Sequence, residues 1–230
     1  MVRGNPGNLI RQLQSAVGPS LSFVTSNSVQ NNNTLVISSS AQTGDLMIFL
    51  DWLQHANGAT NTIPAGFNQI VSNWCMSSIR VAVSFKVLEA ADPGRNLTDG
   101  LTAPPTPTSF KLAAYWRPSF AITGWSVGSF FNTPSTICTA NKPADAVLAL
   151  ATLGLVAPVM AVAAWGSTLN ITAANRAQTP NDQYVSFASP SGAWLGMKLY
   201  NPGDTLATVT ATMNDIGSHN HMQHNWLKLV

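Results

Sequence analysis

The densest group of potential metal ligands lies near the end of the sequence, where three of the four histidines fall within the segment 219–224. His219 and His221 are separated by one residue, so their side chains point the same way in an extended chain. Imidazole suits iron and zinc, so His219 and His221 are a candidate site for Fe or Zn. The alternative is a polar loop before the last strand, with neutral, hydrogen-bonding histidines.

Seven tryptophans give a second kind of candidate site, because sugars stack on exposed indole rings beside amide groups. Trp52, near His55, and Trp74, next to Asn73, are the best placed for contact with a glycan or another receptor. The alternative is that the tryptophans fill the core. That alternative is strongest for Trp165, Trp194 and Trp226, which lie in strand-like segments.

No catalytic residue is assigned. The chain has no G-x-S-x-G, Walker, H-E-x-x-H or C-x-x-C motif. A glycosidase would need two carboxylates, and the only glutamate is Glu89. The aspartates that remain, such as Asp92 and Asp204, lie mostly in turn-like segments, which favours structural roles. The sequence therefore predicts a protein that is not an enzyme.

The sequence is poor in charge: 9% of its residues are charged, with a net charge of +2. Such a chain has no basic stripe for nucleic acid, so DNA and RNA are not expected as partners. A neutral surface associates readily, which predicts a homo-oligomer. Two cysteines, Cys75 and Cys138, form no disulfide framework, and the N-terminal segment does not read as a signal peptide.

Residues 1–18 differ from the rest and predict an N-terminal arm, which either contacts a neighbouring chain or simply frays. Its candidate contact residues are Arg3, Leu9, Ile10, Arg11 and Leu13. Residues 19–230 predict one all-β domain, an antiparallel β-sandwich of jelly-roll-like form, because short apolar segments alternate with turn residues and helical periodicity is nearly absent.

The predicted strands lie near residues 21–26, 34–38, 45–52, 69–74, 79–88, 110–116, 125–131, 146–153, 159–165, 184–188, 193–200, 207–213 and 226–230. Alternation is clearest from Arg80 to Val87, which predicts one buried and one solvated face. The uncharged run Ala146–Trp165 is long enough to span a membrane. Gly154, Pro158 and the absence of flanking basic clusters favour two buried strands instead.

Two pairs of similar segments lie about a hundred residues apart and suggest an internal duplication. Thr43–Leu50 is echoed by Pro143–Leu150, and Ala91–Thr98 by Tyr200–Ala207. Two similar hairpin sets facing each other would form a pseudo-symmetric sandwich.

Four segments carry a resemblance to a known class of proteins: Thr43–Leu46, Ile63–Phe67, Ala90–Gly94 and Ala113–Arg117. Together they resemble the "GDL" strand, "P-x-G-W" turn, "A-x-x-G" turn and "Y-R-G" strand end of β-sandwich virion proteins from tailed bacteriophages. Phe67 departs from the usual tryptophan, and Trp116 intervenes before Arg117.

The resemblance implies a virion component of the tail-fibre, baseplate or head-surface class. Within it we expect a non-enzymatic component of the tail-fibre, baseplate or receptor-contacting class, assembled in a bacterial cytoplasm. Its partners would be other virion proteins and a host surface glycan, with no membrane span. In phage fibres and spikes, an H-x-H pair from each of three chains can surround one iron ion on the trimer axis, so the resemblance also implies such an Fe or Zn site at His219 and His221 and favours a trimer. A capsid decoration (cement) protein is the first alternative. A carbohydrate-binding module or glycan-active enzyme is the second.

Overall fold

The protein is all-β, as the sequence predicts. The structure is a computed structural model that describes residues 18–30, 34–54, 63–75, 79–98, 109–128, 136–139, 146–150, 153, 156–170, 176–186, 191–213 and 220–230. Its strands are β1 (Leu21–Gln30), β2 (Thr34–Val36), β3 (Leu46–Gln54), β4 (Asn68–Cys75), β5 (Ile79–Val87), β6 (Asn96–Thr98), β7 (Ser109–Pro118), β8 (Trp125–Gly128), β9 (Thr136–Thr139), β10 (Ala146–Ala149), β11 (Val159–Asn170), β12 (Arg176–Thr179), β13 (Gln183–Ser186), β14 (Ser191–Tyr200), β15 (Thr208–Met213) and β16 (Asn220–Leu229).

Two antiparallel sheets form the sandwich. The first has the strand order β1-β7-β3-β5-β4, and the second has the order β13-β14-β11-β16-β8, with β9 also paired to β16. Alternate residues of the central strands, such as Ile48 of β3 and Val162 of β11, meet in one hydrophobic core between the sheets. Because β3, β5, β7, β11 and β14 each contribute side chains to this core at a period of two, the sandwich is the arrangement that buries them together.

Two smaller sheets cover the outer faces of the sandwich, one on each side. On the first sheet, Leu35 of β2 and Leu97 of β6 pack against Phe49 of β3. On the second sheet, the three-stranded sheet β10-β15-β12 brings Val209 of β15 against Ala161 of β11. A central strand is therefore covered on both sides, which explains why β3 and β11 have nearly continuous apolar sequences.

The same covering corrects the prediction of a solvated face on β5. Arg80, Ser84 and Lys86 point away from the sandwich core, yet each is buried. Alternation along a strand distinguishes its two faces, but it does not show whether other parts of the protein cover each face. The polar face of β5 is thus an inner surface of the molecule.

The run Ala146–Trp165 forms two strands, β10 and the first part of β11, as predicted. Ala157 and Pro158 lie buried just before β11. No helix within the described residues has the length and hydropathy needed to cross a membrane.

The duplication is present in the strand order. Read from β8, the second sheet runs β8-β16-β11-β14-β13, which repeats β1-β7-β3-β5-β4 strand for strand, and the outer pair β10-β15 repeats β2-β6. The echo of Ala91–Thr98 in Tyr200–Ala207 falls on equivalent connections, β5 to β6 and β14 to β15. The predicted correspondence of Thr43–Leu50 with Pro143–Leu150 is wrong. The first segment leads into β3 and the second contains β10, whereas the counterpart of β3 is β11.

Every predicted strand is present, and three short strands were not predicted: β6, β9 and β12. The last strand also begins at Asn220, well before its predicted start near Trp226. The N-terminal arm, with Arg3, Leu9, Ile10, Arg11 and Leu13, lies outside the described residues.

Candidate functional site

Trp52 does not form a surface platform. Its side chain is fully buried between the two sheets, with its ring centroid 5.1 Å from that of Phe110 and its indole nitrogen against Gly166. This position corrects the prediction of a glycan contact, because a sugar cannot reach the ring. The side chains of Asn73 and Trp74 and all of His55 lie outside the described residues.

His221 is not in a surface loop either. It lies in β16, opposite Gly166 of β11, and its side chain is fully buried. A metal on a trimer axis would need imidazoles at the surface, so this position corrects the prediction for His221. His219 lies outside the described residues, and no group of three potential metal ligands occurs among the residues that the structure describes.

The buried imidazole belongs to a small polar cluster inside the sandwich. The side-chain nitrogen of Gln223 donates to the carbonyl oxygen of Val81, 3.1 Å away, and lies 3.0 Å from Nε2 of His221. Because the amide nitrogen is a donor, Nε2 accepts and the imidazole proton resides on Nδ1. Burial lowers the pKa of His221 to about 4, so the ring is neutral at physiological pH.

This burial predicts a loss of stability in acid. The folded protein keeps His221 neutral down to about pH 4, whereas the unfolded chain binds a proton near the ordinary pKa of 6.5. The contribution of the neutral imidazole to the free energy of unfolding is therefore complete above pH 6.5. It is lost as the pH falls towards 4, which lowers the free energy of unfolding by about 3 kcal/mol. Urea unfolding of the protein and of His221→Gln between pH 7 and pH 4 measures the difference. Parallel pH profiles would contradict the assignment.

The described aspartates are occupied by structural bonds, and three of them close the same kind of turn. The carboxylates of Asp45, Asp92 and Asp204 accept the main-chain N–H three residues earlier, at 2.7–2.8 Å. In each turn the aspartate N–H returns a bond to the carbonyl of that earlier residue. Asp182 accepts the N–H of Leu199 at 2.7 Å. These bonds are the turn chemistry that short acidic side chains favour.

Several charges are also paired with one another, and six charged side chains are buried: Asp45, Asp51, Arg80, Lys86, Asp92 and Lys111. Lys86 Nζ lies 2.8 Å from Asp92 Oδ2, and Lys111 Nζ lies 3.6 Å from Asp51 Oδ1. Burial alone would raise the pKa of Asp92. The hydrogen bonds from Lys86 and Glu89 and the charges of Lys86 and Arg95 outweigh it, so the pKa lies below its ordinary value.

A cleft opens at the end of the sandwich where β3 begins and β7 ends. It has a volume of about 360 Å³ and is lined by Gln42, Thr43, Gly44, Val87, Arg117, Pro118, Phe120, Ala121 and Ile122. Arg117 is fixed at its wall, since Nε and Nη2 donate to the two oxygens of Asp45, each at 3.0 Å. The hydrogen bond with Asp45 raises the pKa of Arg117, so the guanidinium stays charged.

Beside the cleft lies the most exposed tryptophan for which the structure describes the side chain. Trp125 is 47% exposed, and its ring meets Phe85 edge to face, with 5.4 Å between ring centroids. Phe85 and Val87 are successive residues on one face of β5, and Val87 lines the cleft. The indole therefore lies near the cleft: it contacts β5 two residues before Val87, and Trp125 follows the lining residue Ile122 by three residues.

Sequence reasoning counted Trp125 among the tryptophans but did not single it out. The available signal was its position in a short predicted strand just after Gly124, which is typical of a sheet edge. Arg117 was noted only for its place after Trp116. Its pairing with Asp45, 72 residues earlier, had no local signal.

Comparison of the chain with models of known protein families, with curated proteins and with solved structures finds no match. The resemblance to phage virion proteins therefore stays a prediction.

Proposed function

We propose that the protein is a non-enzymatic structural component of a tailed-phage particle, displayed on its surface in the tail-fibre, baseplate or receptor-contacting class. The sandwich fold and the four motif segments support this assignment. The protein would work as a homo-oligomer, with a trimer favoured, and in contact with other virion proteins.

The main observation that supports the proposal is the burial of charged side chains. A chain with only 9% charged residues also buries six charged side chains, so its surface is more neutral than its composition suggests. Large apolar side chains are exposed as well: Phe23, Val36, Trp125, Val127, Val147, Val156, Tyr184 and Val230. Neutral surfaces with exposed apolar groups favour stable contact with other chains.

The structural bonds of the described aspartates argue against acid–base catalysis. Asp45, Asp92, Asp182 and Asp204 hold turns and strand ends, and Asp51 lies beside Lys111. A catalytic carboxylate needs access to substrate and a pKa suited to proton transfer. Structural bonds leave these five side chains poorly suited to that task.

Electron microscopy of the particles tests the proposal. An antibody raised against the purified chain, detected with gold, should label virions from cells that carry the gene, at a few positions on the tail. Label spread over the head would support the capsid decoration alternative instead. Virions without label, with the chain remaining in the soluble fraction, would contradict both.

Light scattering of the purified chain tests self-association independently. Self-association is expected in physiological buffer, since the neutral surface repels other copies weakly, and a trimer is the favoured state. A strict monomer over the whole concentration range would argue against a homo-oligomeric component.

A further inference from the structure

The guanidinium of Arg117 presents a fixed set of donors to the cleft. Of its five N–H groups, the one on Nε and one on Nη2 are directed at Asp45. The other three, two on Nη1 and one on Nη2, bond to no residue that the structure describes. Because Asp45 is buried and also accepts the N–H of Gln42, the orientation of the guanidinium is set before any ligand arrives.

The charge at this wall is already balanced. Asp45 carries one negative charge at 3.0 Å from the guanidinium, so the pair is neutral overall. Nearby, Gln42 and Thr43 are exposed and add an amide and a hydroxyl, each able to donate and accept. A neutral ligand with several oxygen atoms suits these groups better than an anion, which would face the Asp45 carboxylate across the guanidinium.

The remaining walls are apolar. Val87, Pro118, Phe120 and Ile122 line the cleft, and the exposed ring of Trp125 lies beside it. A ligand must therefore offer hydroxyl or carbonyl oxygens on one side and an apolar C–H face on the other. Pyranose rings have both, and their C–H faces stack on aromatic rings.

We propose that the cleft at Arg117, together with the indole of Trp125, binds a neutral saccharide, with the sugar hydroxyls on Arg117, Gln42 and Thr43 and a sugar face on Trp125. The volume of about 360 Å³ is at the lower end for small-ligand sites and suits one or two sugar units. The inference gives a ligand class to the receptor-contacting role under the proposed function. Its test uses the purified chain and not the particle, so the two can fail separately.

Titration of the full-length protein with neutral disaccharides tests the site. Cellobiose, maltose, lactose and N,N′-diacetylchitobiose are added to ¹⁵N-labelled protein, and the indole N–H signal of Trp125, assigned with Trp125→Phe, is followed by NMR. At least one disaccharide should shift this signal saturably, with a Kd on the order of 1 mM. Absence of saturable shifts with all four would overturn the proposal, as would tighter binding of glucuronate than of every neutral sugar.

Variants separate the two halves of the site. Variants that lack the indole are titrated through the backbone amide signals of Gln42 and Thr43, which line the cleft. Trp125→Ala should weaken binding about ten-fold or more and Trp125→Phe much less, because phenylalanine keeps an aromatic face. Arg117→Lys keeps the charge beside Asp45 but removes the planar fork, and should also weaken binding about ten-fold. Phe23→Ala, which removes an exposed aromatic side chain from β1, is the matched control and should leave the affinity unchanged. Full affinity in both Trp125→Ala and Arg117→Lys would overturn the assignment.

Discussion

Replacing Asp92 by alanine is expected to lower the free energy of unfolding by about 4 kcal/mol at pH 7. Asp92 is 1% exposed, and its partner Lys86 lies 2.8 Å away with a largely buried ammonium group. Removing the carboxylate leaves that positive charge buried without its nearest partner. Glu89 is 4.0 Å from the same nitrogen but is mostly exposed, so it compensates only in part. Urea unfolding with an unchanged m-value measures the effect.

Asp204→Ala is the matched control for that measurement. Asp204 closes the same kind of turn, through the N–H of Asn201 at 2.7 Å, but it is exposed. Its removal tests the turn bond alone and should cost about 1 kcal/mol. Equal losses in the two variants would show that the turn, and not the ion pair with Lys86, accounts for the stability.

Replacing Gly166 by alanine is expected to cost about 3 kcal/mol of unfolding free energy. A Cβ atom at this position would overlap Nε1 of Trp52, and both residues are buried where the two sheets meet. The indole cannot move aside easily, since its ring also packs against Phe110. Thermal or urea unfolding of the purified variant provides the measurement.

Two further variants identify the cause of that loss. Gly124→Ala should have little effect, because its Cβ would meet only Val230 at an ordinary distance of 3.8 Å. Trp52→Leu removes the indole, so Gly166→Ala should cost clearly less when it is added to Trp52→Leu than in the natural chain. Additive costs in the double variant would contradict a clash between these two residues.

The close contact at Gly166 bears on the duplicated architecture. Trp52 belongs to the central strand of the first sheet and Gly166 to the central strand of the second, and these two strands occupy equivalent places in the repeated strand order. At this contact the first repeat contributes a tryptophan and the second a glycine, which leaves room for the indole.

Local sequence determined the class of fold and most of the strands. Apolar residues at a period of two, separated by Pro, Gly and Asn, predict strands wherever they occur, because that period is a property of the extended backbone. The same reasoning divided Ala146–Trp165 into two strands. It also predicted that the Pro-Gly segments after β5 and β14 are related turns.

Only the tertiary structure decided what covers each strand face, and so which side chains are accessible. Trp52 and Trp125 both lie in predicted strands, yet one lies under a second sheet and the other at a sheet edge. His221 looked like part of a polar loop and is buried in β16. The pairing of Asp45 with Arg117 joins residues far apart in the chain. Periodicity sets the direction of a side chain, whereas its burial and partners depend on distant strands that no short segment encodes.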